Sequence, residues 1–279
     1  MSNPLPPVLE PALPAVQPLV PAPVARWRHF IALVLLVGYI LFPAILGLSN
    51  EGSKEAILPS NVRGILVLCA VELFLFSLVF GFAWAFARFR RTDLLLTWTG
   101  GWKTWPRSLG WSIALRIGVG GMLAAFIAIA HVFSGESLQQ LNDIRPKVEA
   151  MVDTEALRDP LYLALMLTLV SFVLAGLREE LWRIAMVFLL GRIAPGMFGG
   201  RWGPWLALVP VAVLFGLGHT AQGWAGVAAT TALGLGLGAI MLFHRSTWDA
   251  VLTHGFFNAT TFAILPWLAD LIPRLADTH

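Results

Sequence analysis

Long apolar runs separated by short polar connections dominate this chain. About 20 apolar residues cross the hydrocarbon core of a bilayer, so the runs predict seven transmembrane helices. The run at 160–192 is too long for one crossing, and we expect it either to tilt and extend into solvent or to break near Ala175–Gly176. The fold class is therefore all-α, a polytopic transmembrane helical bundle of seven to eight spans. The predicted spans lie near 29–48, 63–87, 111–133, 160–192, 204–221, 223–243 and 248–268.

Composition supports a membrane protein and divides the chain into two parts. Hydrophobic residues occupy 57% of the 279 positions and charged residues only 13%, whereas soluble domains contain about a quarter charged residues. Residues 1–25 hold eight prolines and almost no charge, a composition that predicts an extended, disordered tail. Residues 26–279 are predicted to form a single transmembrane helical domain.

The basic residues of the chain are best explained as topology signals. A net charge of +3 would suggest nucleic acid binding in a soluble protein, but here Lys and Arg flank the predicted spans. We therefore expect no nucleic acid partner. More Lys and Arg fall in the connections on the side of the N-terminus than in those on the opposite side, which predicts a cytoplasmic N-terminus. The predicted location is the cell membrane, with multiple passes.

Two adjacent carboxylates, Glu179 and Glu180, interrupt the fourth apolar run. Ionisable side chains at hydrocarbon depth are costly, so we expect these to have a function. Neighbouring residues on a helix point about 100° apart, which allows one carboxylate to face a cavity while a cation holds the other. Arg183 lies four residues after Glu179 and three after Glu180, within reach of either. The alternative is a helix end at the cytoplasmic surface, with Arg178 as a boundary charge.

Two histidines occur in later apolar runs, each four residues from a second characteristic group. Phe215 and His219 are predicted to share one face of a helix, and so are His254 and Asn258. His254 and Asn258 can together bind one oxygen atom or one metal ion, or they can form polar contacts between helices. A lone buried His such as His219 is more often a hydrogen-bonded core residue than a ligand.

Taken together, the three elements resemble the CPBP or Abi family of intramembrane proteases, which includes the eukaryotic CAAX prenyl endopeptidase. The family pattern is a double Glu followed by Arg, then Phe-x-x-x-His, then His-x-x-x-Asn or a near variant, each on a separate transmembrane helix. The second and third motifs match fully here, and the resemblance covers roughly residues 160–265, within a motif-bearing core at 160–268. The first motif departs from the pattern, because two residues rather than three separate Glu180 from Arg183.

The resemblance implies an intramembrane endopeptidase that hydrolyses a peptide bond of a membrane-anchored peptide or protein within the lipid bilayer. One Glu, with His219, would activate a water, while His254 and Asn258 would stabilise the oxyanion. Arg183 and Phe215 would support these groups. By position in the motif Glu179 is the base and Glu180 the supporting residue. If the Arg partner instead lies four residues from its Glu, Glu180 becomes the base.

Metal dependence and function class leave alternatives open at this point. We expect no cofactor, because Asn is a better oxyanion donor than zinc ligand, but zinc bound by Glu179, His219 and His254 is the alternative. The single cysteine, Cys69, excludes a cysteine-based metal cluster. A transporter or ion relay is a second function class, in which Glu72 would be an extra member. A catalytically idle scaffold is the third.

Overall fold

The computed structural model describes residues 24–48, 56–98, 100–134, 146 and 151–276. Regular structure in this part of the chain is helical, and no strand occurs among these residues. The predicted disordered tail at 1–25 lies outside the described residues, apart from its last two positions.

Polar residues and prolines mark where several of the helices begin. Asn61 precedes the helix that begins at Val62 and accepts a hydrogen bond from the Gly64 amide at 2.8 Å. Asp159 caps the helix that begins at Pro160 in the same way. Both side chains satisfy amide groups that the first turn of a helix leaves unpaired. In chain order the elements are α1 Arg26–Leu48, α2 Val62–Ala87, α3 Thr104–Ser134, α4 Pro160–Leu165, a π-helical segment Met166–Leu177, α5 Arg178–Ile193, α6 Pro195–Phe198, α7 Gly203–Leu217, α8 Gly223–His244 and α9 Thr247–Ala276.

The length and composition of the helices confirm a helical membrane bundle. Four helices in the described part are long and apolar enough to cross a bilayer, and α7 is a shorter apolar helix of 15 residues. The predicted number of seven to eight spans and the cytoplasmic N-terminus remain predictions. The long candidates are Val62–Ala87, Gly101–Phe133, Pro160–Ile193 and Thr220–His244.

The long fourth run remains one helix, so the expected alternative of a break near Ala175–Gly176 is wrong. Instead of breaking, the helix changes its winding: the π-helical segment runs from Met166 to Leu177, and α-helix resumes at Arg178. The hydroxyl of Ser171 donates to the carbonyl of Met166 at 2.6 Å, five residues back, as the wider turn requires. Such segments occur frequently at functional sites, because they change the direction of the side chains that follow.

Close packing between the π-helical segment and α9 fixes how these two elements meet. Gly176 lies against the backbone of α9, and a Cβ atom added there would lie 2.8 Å from the carbonyl oxygen of Val251. Small residues at such contacts let helices approach closely in bilayers. The contact lies three residues before Glu179 on one helix and three before His254 on the other, so it sets the distance between two site-bearing segments.

Helix α5 lies in the centre of the bundle. Most of its side chains between Glu180 and Leu189 are buried, and it contacts α1, α7, α8 and α9 as well as the π-helical segment. The indole of Trp182 is fully buried and donates to the carbonyl of Leu36 on α1 at 2.9 Å. The first turn of α5 is therefore held on several sides.

Candidate active site

A fully buried ion pair in the first two turns of α5 forms the base of the candidate site. Glu180 and Arg183 both have side chains that are 0% exposed, and the Arg183 guanidinium contacts Oε1 of Glu180. The same guanidinium lies over the ring of Phe215, 4.4 Å from the ring centroid. Of the two glutamates within reach of Arg183, it is thus Glu180 that makes the pair.

The second partner of Glu180 is the imidazole of His254 from α9. Its Nδ1 lies 2.9 Å from Oε1 of Glu180, and the imidazole is buried. A carboxylate that faces a guanidinium accepts hydrogen bonds and does not donate them. Nδ1 of His254 therefore carries the proton of this bond, and Nε2 is directed toward Glu179.

Glu179 lies between a cation and this imidazole. Its Oε1 accepts a hydrogen bond from Nη2 of Arg178 at 3.0 Å, and its Oε2 lies 3.8 Å from Nε2 of His254. That separation is longer than a direct hydrogen bond and suits a bridging water. The two adjacent glutamates thus have different surroundings, as the 100° offset along a helix predicts: Glu180 is fully buried, whereas Glu179 keeps 12% of its side chain exposed.

His219 lies just beyond the end of α7, which corrects the prediction that it shares a helical face with Phe215. Helix α7 ends at Leu217, and His219 adopts φ −112° and ψ 24° in the turn that follows. The two side chains still meet, because Nδ1 of His219 lies 2.9 Å from the Phe215 carbonyl oxygen and the ring centroids are 4.7 Å apart. Nδ1 donates to that carbonyl, so Nε2 is the nitrogen left for chemistry.

The ring of Phe215 joins the two histidines and the buried ion pair. It is buried, with His219 on one side, Arg183 over its face and the His254 ring centroid 6.4 Å away. The three predicted motifs therefore come together around the Phe215 side chain. They are contributed by α5, by α7 with the turn that follows it, and by α9.

Asn258 lies one turn after His254 on α9 and is half-buried. Within the described residues no hydrogen bond holds its side chain, so the amide remains able to donate to a substrate. The neighbouring Phe257 carbonyl, by contrast, accepts a bond of 2.6 Å from Arg116 of α3. The structure thus places Asn258 on the same helix as His254, and among the described residues no hydrogen bond joins its side chain to either glutamate.

Sequence reasoning missed one side of the site. Arg178 donates to Glu72 at 2.7 Å and to the hydroxyl of Tyr39 at 3.0 Å. From the sequence, a boundary charge is only one alternative for Arg178, membership of a relay is only one alternative for Glu72, and Tyr39 has no assigned role. The available signal was the acidic residue in an otherwise apolar second span, which needs a buried partner.

The residues proposed as zinc ligands do not gather as a metal site. Among the described residues, no group of three His, Cys, Asp or Glu side chains is arranged to hold a metal ion, and this includes Glu179, His219 and His254. As arranged in this conformation, Glu179, His219 and His254 therefore do not form a ligand set that fits zinc.

Comparison with known proteins agrees with the motif pattern. Residues 161–260 match the model of the family described as type II CAAX prenyl endopeptidase, Rce1-like. No curated protein and no solved structure matches the chain. The motif-bearing part of the chain is therefore similar to the CAAX protease family, as the resemblance implied, and this match supports an intramembrane protease.

The pairing of Glu180 with Arg183 predicts that two neighbouring substitutions differ in their effect on the stability of the fold. Glu180→Gln leaves a fully buried guanidinium without its counter-charge, and we expect it to cost about 3–5 kcal/mol of stability. Glu179→Gln is the matched control, because Arg178 keeps its bond to Glu72. Folded yield and the unfolding temperature in detergent measure the difference. A Glu180→Gln chain as stable as wild type would contradict the assigned pairing.

Proposed function

We propose that this chain is a metal-independent intramembrane endopeptidase in which Glu179 activates the attacking water. The observation that carries the proposal is the 3.8 Å separation between Oε2 of Glu179 and Nε2 of His254. A carboxylate and an imidazole that hold a water between them, with a second imidazole nearby, can activate that water to attack a peptide carbonyl.

The proposed base is Glu179 rather than Glu180. Glu180 is held by Arg183 and by Nδ1 of His254, and a carboxylate with two cationic or donating partners is a poor proton acceptor. Glu179 has one oxygen bonded and one directed into the site. His219 assists it, since its Nδ1–H is occupied by a carbonyl and its Nε2 can accept a proton from water or orient it.

His254 and Asn258 are the proposed donors to the oxyanion. Charge balance supports a proton on both nitrogens of His254, because the connected cluster holds more carboxylates than guanidiniums and a neutral cluster is favoured in a low-dielectric medium. An imidazolium then bonds Glu180 through Nδ1 and directs its Nε2–H to the site. The cluster consists of Glu72, Glu179 and Glu180 with Arg178 and Arg183.

The catalytic sequence follows from these roles. Water loses a proton to Glu179 as its oxygen forms a bond to the peptide carbonyl carbon. The carbonyl oxygen becomes an oxyanion that Nε2–H of His254 and the amide of Asn258 stabilise. The proton then passes to the leaving nitrogen as the C–N bond breaks, so the base acts last as an acid. No acyl-enzyme forms in this sequence.

The substrate class is a membrane-associated protein or peptide. The family match supports this class, and the helix that carries Glu179 and Glu180, Pro160–Ile193, is apolar over a length that suits a bilayer. The matching family is that of type II CAAX prenyl endopeptidases, so a prenylated peptide with a C-terminal CAAX sequence is the first probe to use. A single-span peptide without a lipid is the second.

Activity in nanodiscs tests the function and the base together. We expect the wild-type chain to hydrolyse at least one of the two probes, and Glu179→Gln to lower kcat by about 10²- to 10⁴-fold, as removal of a general base does. Glu155→Gln is the control, because this exposed glutamate pairs with Arg158 outside the site. Mass spectrometry of the products measures the rates. Wild-type protein that hydrolyses neither probe would contradict the proposed substrate class, and full activity of Glu179→Gln would contradict the base.

Metal analysis of the purified chain tests the metal-independent mechanism. We expect no stoichiometric zinc and unchanged kcat after prolonged chelation. His254→Ala should retain a rate about 10² to 10³ times below wild type, the usual loss for one oxyanion donor. A zinc enzyme would instead contain one ion per chain and lose it in both His219→Ala and His254→Ala, since three protein ligands hold such an ion. That result would overturn the mechanism.

A further inference from the structure

A hydrogen-bonded network connects the first two helices of the bundle to Glu179. Nη1 of Arg178 donates to Oε2 of Glu72 at 2.7 Å and to the hydroxyl of Tyr39 at 3.0 Å, while its Nη2 donates to Oε1 of Glu179 at 3.0 Å. Tyr39 in turn donates to the same oxygen of Glu72 at 3.0 Å. One guanidinium therefore bridges two carboxylates on different helices.

The members of this network come from three elements, and two lie outside the family match. Tyr39 belongs to α1 and Glu72 to α2, whereas the family match covers residues 161–260. Arg178 is the first residue of α5, where the π-helical segment ends. The motif-bearing region thus depends for this contact on helices that carry none of the three motifs.

The geometry of this network differs from that of a single ion pair between two helices. A bond from Arg178 to Glu72 alone would connect α5 to α2 without affecting Glu179. The second arm of the guanidinium instead bonds Oε1 of Glu179, and it is the other oxygen, Oε2, that faces His254 at 3.8 Å. A planar guanidinium held at one end fixes the direction of the donors at its other end.

Burial makes this arrangement stiff. The side chain of Arg178 is 17% exposed and that of Glu72 is 28% exposed, and the Arg178 guanidinium also lies 5.9 Å from the Tyr39 ring centroid. Polar groups in a bilayer remain paired because few waters compete for them. If Glu72 were removed, Arg178 would be free to turn both of its arms to Glu179 and to occupy the oxygen that faces the site.

We propose that Arg178, oriented by Glu72 and Tyr39, is the positioning residue that holds Glu179 with Oε2 toward His254, so that α1 and α2 complete the active site. This inference rests on the proposed function of Glu179 as the base. It assigns Glu72 a role in catalysis through Arg178, in place of the relay that its position in an apolar span first suggested.

Steady-state kinetics of conservative variants, with the probe that wild type cleaves, tests the role. We expect Glu72→Gln and Arg178→Gln to lower kcat by about tenfold to a hundredfold with little change in KM, because the base is misdirected while substrate binding remains. Arg178→Lys should recover part of the rate, since it keeps the charge but lacks the two-armed donor. Tyr39→Phe should have a smaller effect in the same direction.

Matched controls separate positioning from general loss of packing. Tyr162→Phe removes a hydroxyl that donates to the Pro59 carbonyl at 2.8 Å, away from the site, and should leave kcat unchanged. Glu155→Gln serves the same purpose for Glu72→Gln. Wild-type kcat in Glu72→Gln and Arg178→Gln, or a loss expressed in KM with kcat retained, would overturn the proposal.

A second measurement requires no substrate. It distinguishes a failure of the proposed function from a failure of the proposed positioning role of Arg178. We expect the shifts in unfolding temperature caused by Glu72→Gln and Glu179→Gln to be non-additive, because both residues share Arg178, and to become additive in an Arg178→Gln background. Additive shifts in both backgrounds would overturn the network. If wild type cleaved neither probe, the proposed function would fail, and this double-mutant cycle would still decide whether Arg178 couples the two glutamates.

Discussion

Compensation of buried charge is the constraint on which the rest of this site depends. A bilayer offers no water to a carboxylate or guanidinium, so each must find its partner within the protein. The fully buried pair of Glu180 and Arg183 meets this need in the first two turns of α5. Because Glu180 also accepts from His254, the pair determines where α9 presents its imidazole.

Two adjacent glutamates take different roles because the helix points them in different directions. Glu180 is directed into the bundle, where cationic and imidazole partners hold it, and Glu179 is directed toward the space between Arg178 and His254. The π-helical segment that ends at Leu177 sets the rotation of both side chains relative to α9, and the tight contact of Gly176 with Val251 holds that rotation. Backbone winding, packing and charge pairing therefore act on the same few residues.

The sequence was sufficient to predict the helical class and the identity of the motif residues. Apolar run length predicts spans directly, and glutamates and histidines in such runs stand out because of their cost. The partner of Arg183 was left open, since a helix brings both Glu179 and Glu180 within its reach. Only the three-dimensional packing, with Phe215 against the guanidinium, distinguishes them.

Three features lay beyond what the periodicity of the sequence could predict. The π-helical winding at Met166–Leu177 has no composition of its own, and an apolar run that is too long suggests a break as readily as a wider turn. The link from Glu72 and Tyr39 to Arg178 joins residues more than 100 positions apart in sequence, and no local spacing connects them. The termination of α7 before His219 likewise depends on the turn at Gly218 rather than on the motif.

The central claim is that Glu179 acts on water and is not itself the nucleophile. The most direct test of this claim is to let the enzyme complete many turnovers in water enriched in ¹⁸O. Mass spectrometry then measures the label in the products and in the peptide that contains Glu179. Direct attack by water predicts label in the new carboxyl group of the product and none in the Glu179 carboxylate. Label accumulating in Glu179 would reveal a covalent glutamyl intermediate and would contradict the account.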